Sequence, residues 1–180
     1  LENKIKDNYA SKSLIFEKGE VVFNKVNFSY ETNLYNKVLK DISLKFSGGK
    51  MTALVGHSGS GKSTMLNMVP RIYSPTDGNI TIDNQDISKM NLASVRKEIS
   101  IVDQNTTLFD DTVMNNIKYA KPDATDEEVV EAAELAMCKD FIENLDQGFQ
   151  TMIGENGARL SGGEKQRLSI ARAFLKKSKI

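Results

Sequence analysis

The sequence has one cysteine, one histidine and no surplus of either charge. Cys138 alone cannot close an internal disulfide, which fits a reducing compartment. With His57 as the single histidine, no Cys/His metal cluster is available. Lys plus Arg total 24 and Asp plus Glu total 24, so the net charge is zero. That balance argues against a strongly basic nucleic-acid binder while leaving room for a local patch. No stretch approaches the roughly 18 apolar residues that a membrane helix needs, and no secretory leader is expected at the start.

What is present suffices for a folded unit. The 180 residues are 39% hydrophobic, enough for about one domain with a real core. The chain opens on Leu1 and closes on Leu175-Lys176-Lys177-Ser178-Lys179-Ile180, and we expect it to be a piece of a longer protein.

Residues 1–19 are polar and irregular and read as a linker. Val26, Phe28 and Tyr30 alternate with Asn27 and Ser29, which predicts a strand from Val21 to Tyr30. A polar loop is expected at 31–37. Ile42, Leu44 and Phe46 then predict a second strand. Residues 51–55 form a continuous apolar run, the pattern of a strand buried on both faces. Ile80 and Ile82 predict another strand, with a hairpin turn at Asp83-Asn84-Gln85, and Ile99, Ile101 and Val102 a further buried one. Residues 112–145 read as helical, with a capping box at Thr125-Asp126-Glu127-Glu128 and an apolar stripe of Val129, Ala132, Ala133 and Ala136. A last helix is predicted from about Ser161 to Lys177. The alternation predicts an α/β fold.

Two motifs carry chemistry. Gly56-His57-Ser58-Gly59-Ser60-Gly61-Lys62-Ser63 fits G-x-x-x-x-G-K-[ST]. Glycines let the backbone curl until successive N–H groups point at phosphate oxygens. A following helix turns its positive N-terminus to the same anion. Lys62 can reach the β- and γ-phosphates, and the Ser63 hydroxyl can bind Mg²⁺. His57 reads as a solvated bystander. The second motif is Leu160-Ser161-Gly162-Gly163-Glu164-Lys165-Gln166-Arg167. Ser161 and Glu164 form a capping box, which leaves the two glycines unexplained, since each weakens a helix by roughly 1 kcal/mol relative to Ala. They make sense if something must approach that backbone closely.

Together these motifs resemble those of ATP-binding cassette (ABC) proteins, with residues 56–63 similar to Walker A and 160–167 to the LSGGQ signature. The resemblance covers nearly all of residues 20–180. It places Tyr30 where an aromatic ring stacks on adenine, and Gln104 where the Q-loop glutamine meets the metal and attacking water. Residues 151–157 resemble the X-loop of exporters, and Leu108-Phe109-Asp110-Asp111-Thr112-Val113 with Asn115-Asn116-Ile117 also has the exporter look, similar to lipid and multidrug half-transporters, while the ending Glu164-Lys165-Gln166-Arg167 also resembles mitochondrial-type exporters of sulfur compounds. Asn84 stands where the family usually has Gly, a change that a left-handed turn tolerates. Asp103 replaces a more usual small residue.

The resemblance implies a P-loop NTPase core with an antiparallel β subdomain and an α-helical subdomain, an incomplete ABC ATPase domain over 20–180. The β subdomain is expected at about 20–50 and 78–90, the P-loop core at about 51–77 and 96–104, and the helical subdomain at about 105–177. The implied nucleotide-binding residues are Tyr30, Gly56, Ser58, Gly59, Ser60, Gly61, Lys62, Ser63, Thr64 and Gln104, with Ser63 and Gln104 at Mg²⁺. Ser161, Gly162, Gly163 and Glu164 would face ATP bound by a second nucleotide-binding domain, paired head to tail. Other implied partners are the transmembrane domains of an exporter at the cytoplasmic face of the membrane, with no nucleic acid; the piece alone would be soluble. The family continues into a Walker B strand, a catalytic Glu and a switch His that these residues do not include. Poor hydrolysis and an unpaired strand edge beside residues 51–55 are therefore expected of the piece. The open alternatives are a soluble ABC ATPase acting on DNA and an unrelated P-loop GTPase or kinase.

Overall fold

The computed structural model describes residues 12–30 and 37–180, so residues 1–11 of the expected linker and 31–36 of the expected loop lie outside it. The chain forms two compact units, Leu1–Ile99 with Lys179–Ile180, and Ser100–Ser178.

The first unit is built on an antiparallel sheet in the order β2-β1-β3-β4. Its strands are β1 (Val21–Phe28), β2 (Leu39–Phe46), β3 (Asp77–Ile82) and β4 (Gln85–Asp86). β1 is central because its Val21, Phe23, Val26 and Phe28 are all buried, the half-buried alternation expected of a sheet with one covered face. Phe23 meets Phe46 of β2 edge-on, with ring centroids 5.8 Å apart. Irregular register breaks the alternation between Phe23 and Val26, opposite β2. At that irregularity β3 comes so close that Gly78 is required: its φ is +80°, and a Cβ there would lie 2.4 Å from the carbonyl oxygens of Asn24 and Lys25. Covering the sheet are α1 (Lys62–Met68) and α2 (Leu92–Lys97), whose Met65, Met68 and Val95 join the core of β1 and β3. Asn91 caps α2 by accepting from the Ser94 N–H at 3.0 Å.

The β3–β4 turn is the expected hairpin. Asp83 and Asn84 have φ of 49° and 61°, as a two-residue turn with both central residues left-handed requires. Asp83 also does something its sequence position does not announce. Its carboxylate accepts backbone N–H bonds from Glu17, Lys18, Gly19 and Glu20 at 2.8–3.1 Å, fastening the entering segment to the hairpin. Partial burial raises its pKa, but these four bonds favour the ionised form and lower it overall, below 3.8. A lowered pKa gives stability that is present above the unfolded value and lost as pH falls through the folded one. Asp83→Asn is thus expected to cost about 1–2 kcal/mol at pH 7. In urea denaturation followed against pH, the gap between wild type and variant should shrink below about pH 3.8. A pH-independent gap would refute this role.

Two expected strands are absent. Residues 51–55 are irregular, with Met51 fully exposed at 101% and Val55 at 89%, and residues 99–102 are irregular too, with Ile101 and Val102 about half exposed. A strand apolar on both faces exists only between two neighbours and beneath covering helices. Neither segment joins a β-ladder among the described residues, so the expected unpaired edge beside 51–55 does not arise either, because no strand is there.

The second unit is helical. The stretch expected to be helical over 112–145 holds three helices, α3 (Val113–Lys118), α4 (Asp126–Leu135) and α5 (Lys139–Glu143), separated at Pro122 and at Met137, whose φ is 54°. α4 opens on the predicted capping box, with Thr125 and Glu128 each bonding the other's backbone N–H, a device worth about 0.5–2 kcal/mol. Its Val129, Ala132 and Ala133 face Leu168, Ala171 and Leu175 of α6 (Gly162–Lys176) across one apolar core.

Cys138 sits in that core, fully buried, its Sγ–H donating to the Ala133 carbonyl at 3.2 Å. Burial pushes the thiol up to about 11. At pH 8 iodoacetamide is therefore expected to label the folded protein at least about 100-fold more slowly than the urea-unfolded chain. Comparable rates in the two states would overturn the burial.

Candidate functional site

The glycine-rich loop joins irregular residue 55 to α1 in the first unit. Gly61 is the helix N-cap with φ +88°, and a Cβ there would stand 2.7 Å from Leu39 Cδ2 of β2. Glycine suits both the left-handed backbone and that approach without displacing Leu39. No side chain caps α1 and no acidic residue occupies its first turn, so its leading N–H groups are not spent on the protein's own carboxylates. Ser60 N–H bonds the His57 carbonyl at 3.2 Å and closes the loop into a ring. Lys62 folds over this ring, its Nζ donating to the carbonyls of Gly56 and His57 at 2.8 Å and to Ser60 Oγ at 3.2 Å. His57 enters the network through its backbone carbonyl.

Tyr30, Val38 and residues 58–64 line an open cleft of about 390 Å³. Tyr30 reaches it from the end of β1, and its hydroxyl bonds Thr64 Oγ1 at 2.7 Å in the first turn of α1. The structure therefore brings Tyr30, Ser58, Gly59, Ser60, Gly61, Lys62, Ser63 and Thr64 to one concavity, with Gly56 tied in through Lys62. Val38, just before β2, belongs to the lining too and gave no sequence signal.

Gln104 and Ser161, Gly162, Gly163 and Glu164 belong to the second unit. Gln104 is exposed, and its N–H donates to the carboxylate of the preceding Asp103 at 2.7 Å. Ser161 caps α6 in a reciprocal box with Glu164, whose Oε2 accepts from Ser161 N–H and Oγ–H at 2.7 Å. These bonds, from the Ser161 side chain first and its backbone second, hold the Glu164 carboxyl below the usual carboxylate range. Ser161, Gly162 and Gly163 are exposed, and a Cβ on Gly162 would meet nothing within 4 Å.

The stretch before α6 is stitched to the start of α3. Val113 N–H bonds the Thr151 carbonyl at 3.1 Å and Ile153 N–H the Asp111 carbonyl at 3.2 Å. Asn116, 1% exposed, clamps the neighbouring loop. Its amide donates to the Phe109 and Thr112 carbonyls and accepts from Phe109 N–H and Arg172 Nη2, all within 2.8–3.0 Å. Arg172 adds bonds to the Asn116 and Thr107 carbonyls at 2.7 Å. Sequence reading placed Asn116 in a family-like stretch without finding this clamp, since its partner lies 56 residues away.

The profile of the family described as ABC transporter matches residues 39–180. The chain belongs to the ABC transporter family. Two Staphylococcus aureus proteins, of strains COL and MW2, bear the name multidrug export ATP-binding/permease protein and are 47% identical to it over 171 residues. The match takes in 95% of this chain and 29% of theirs, so the chain spans under a third of the length of these curated relatives. Among solved structures, a bacterial Atm1-family ABC exporter with ATP bound superposes with a TM-score of 0.91 at 40% identity, over 96% of this chain and 30% of that one. The α/β fold is thus that of an ABC ATPase domain, and the likeness to exporters favours neither DNA-acting ATPases nor unrelated P-loop enzymes.

Proposed function

We propose that residues 20–180, entered through a linker at 1–19, are the nucleotide-binding domain of an ABC exporter that takes Mg·ATP in the cleft between Tyr30 and the glycine-rich loop. The observation that carries this reading is the loop itself: a backbone ring covered by Lys62, with Gly61 left-handed against Leu39 and an α1 start that no acidic side chain neutralises. Loop N–H groups and Lys62 would take the phosphates, Thr64 would add its hydroxyl, and Tyr30 would offer its ring to the base.

Ser63 would hold Mg²⁺. A hydroxyl suits this ion, which keeps several waters and takes most other oxygens from phosphates. Among the described residues there is no cluster of three His, Cys, Asp or Glu that would demand another kind of metal site. When bound, Mg²⁺ neutralises charge on the β- and γ-phosphates.

Gly162 and Gly163 support a two-copy arrangement. Nothing among the described residues calls for glycine at 162, yet glycine there costs helix stability. A bare helix start is useful if an anion comes to it from outside, and we assign that anion to ATP held by a second nucleotide-binding domain, head to tail. Closure of the pair and its reopening on hydrolysis would drive export by the intact protein at the cytoplasmic face of the membrane. No helix of the described residues is long and apolar enough to cross a membrane, so we assign the crossing to transmembrane domains of the intact protein. Within these 180 residues no carboxylate is assigned to polarise water, and efficient hydrolysis is proposed of the intact protein alone. Calorimetric titration of Mg·ATP into wild type and Lys62→Ala tests the site.

A further inference from the structure

Tyr73 follows α1 and stands outside the cleft lining, yet it touches the aromatic residue of the cleft. Its ring meets that of Tyr30 with centroids 5.4 Å apart and planes at 86°. It meets Phe28 at 5.5 Å and 41°, and Phe28 in turn meets Tyr30 at 4.9 Å and 83°. The three rings are thus in pairwise contact. Tyr30 is also fixed at its hydroxyl, by Thr64 in the first turn of α1. Ile72 N–H bonds the Asn67 carbonyl at 2.9 Å, closing the turn that follows α1 and returning Tyr73 towards Tyr30. Tyr30 is therefore held from two sides by one stretch of chain: the start of the helix that leaves the glycine-rich loop, and the turn that ends it.

We infer that Tyr73 is a positioning residue that sets the angle of the Tyr30 ring and, through it, the nucleoside part of ATP affinity, without itself touching the nucleotide. This rests on the nucleotide-site reading above. A flat base gains from stacking on a ring already in place, because immobilising a free side chain costs affinity. Edge-to-face rings prefer a defined angle, which an aliphatic neighbour does not impose. The phosphate end is held by the loop backbone and Lys62, none of which is among Tyr73's ring contacts. A defect at residue 73 should therefore be felt by the base and not by the phosphates.

The test is calorimetry of the purified protein with ATP and, separately, inorganic tripolyphosphate, both with Mg²⁺. Tyr73→Leu is expected to weaken ATP binding about three- to tenfold and to leave tripolyphosphate within about twofold of wild type. Tyr73→Phe should restore ATP affinity, since the ring contact does not need the hydroxyl. Equal weakening of both ligands would mean a general structural role and overturn the inference, as would unchanged ATP affinity in Tyr73→Leu. Should that variant not fold, Tyr73→Met carries the same comparison. Wild type that binds tripolyphosphate no better than a Lys62→Ala control would sink the nucleotide-site reading itself, an outcome distinct from any difference at residue 73.

Discussion

Lys62→Ala should weaken Mg·ATP binding by about 10- to 150-fold. A charge-assisted hydrogen bond is worth roughly 1.5–3 kcal/mol, and that range converts to this factor. Lys62 Nζ bonds two loop carbonyls and the Ser60 hydroxyl, so the ammonium already stands over the ring that would receive the phosphates. Truncation removes both the charge and the tie that holds Gly56 and His57 together. Lys62→Arg tests the two contributions separately, because a guanidinium keeps the charge but not the compact three-donor geometry. It should recover only part of the affinity. Thermal melts give an independent reading: a ligand that binds the folded state at about 100 times its Kd adds about 2.7 kcal/mol of stability. Wild type should gain such a shift from saturating Mg·ATP, and Lys62→Ala at the same concentration much less. Equal affinities in wild type and Lys62→Ala would remove the site assignment.

Asn116→Ala should destabilise the second unit by about 2–4 kcal/mol. The side chain is 1% exposed, and its amide serves four partners. Alanine leaves the Phe109 N–H without its partner and takes one of two bonds from the Phe109 carbonyl, which keeps that from Asp111 N–H at 2.8 Å; a buried group left unsatisfied costs about 1–3 kcal/mol. It also strips Arg172 of one bond, and burial already lowers that guanidinium's pKa. Water entering the opened space offsets part of the sum, which is why the estimate lies below the total. Asn116→Asp keeps the acceptor towards Arg172 and Phe109 N–H but sets oxygen against the Phe109 and Thr112 carbonyls, so it should fall between wild type and alanine. Urea unfolding followed by circular dichroism reads this as a lower midpoint at unchanged m-value. A loss below about 0.5 kcal/mol for Asn116→Ala would show that the clamp contributes little.

The sequence alone was enough for everything that depends on neighbours in the chain. Gly61-Lys62-Ser63, the boxes at Thr125 and Ser161, and the Asp83-Asn84 turn act within a few residues, so their spacing specifies their geometry. Only the tertiary structure decided whether apolar runs became strands. Val21 to Phe28 joined a ladder on each edge, whereas residues 51–55 and 99–102, no less apolar, joined none among the described residues and stayed irregular, because a ladder is a property of two segments and never of one. The same holds for Asp83 with residues 17–20, Asn116 with Arg172, and Tyr30 with Thr64 and Tyr73. Each pair is separated by tens of residues, and one side chain carries no mark of what it will meet until the chain has folded back upon it.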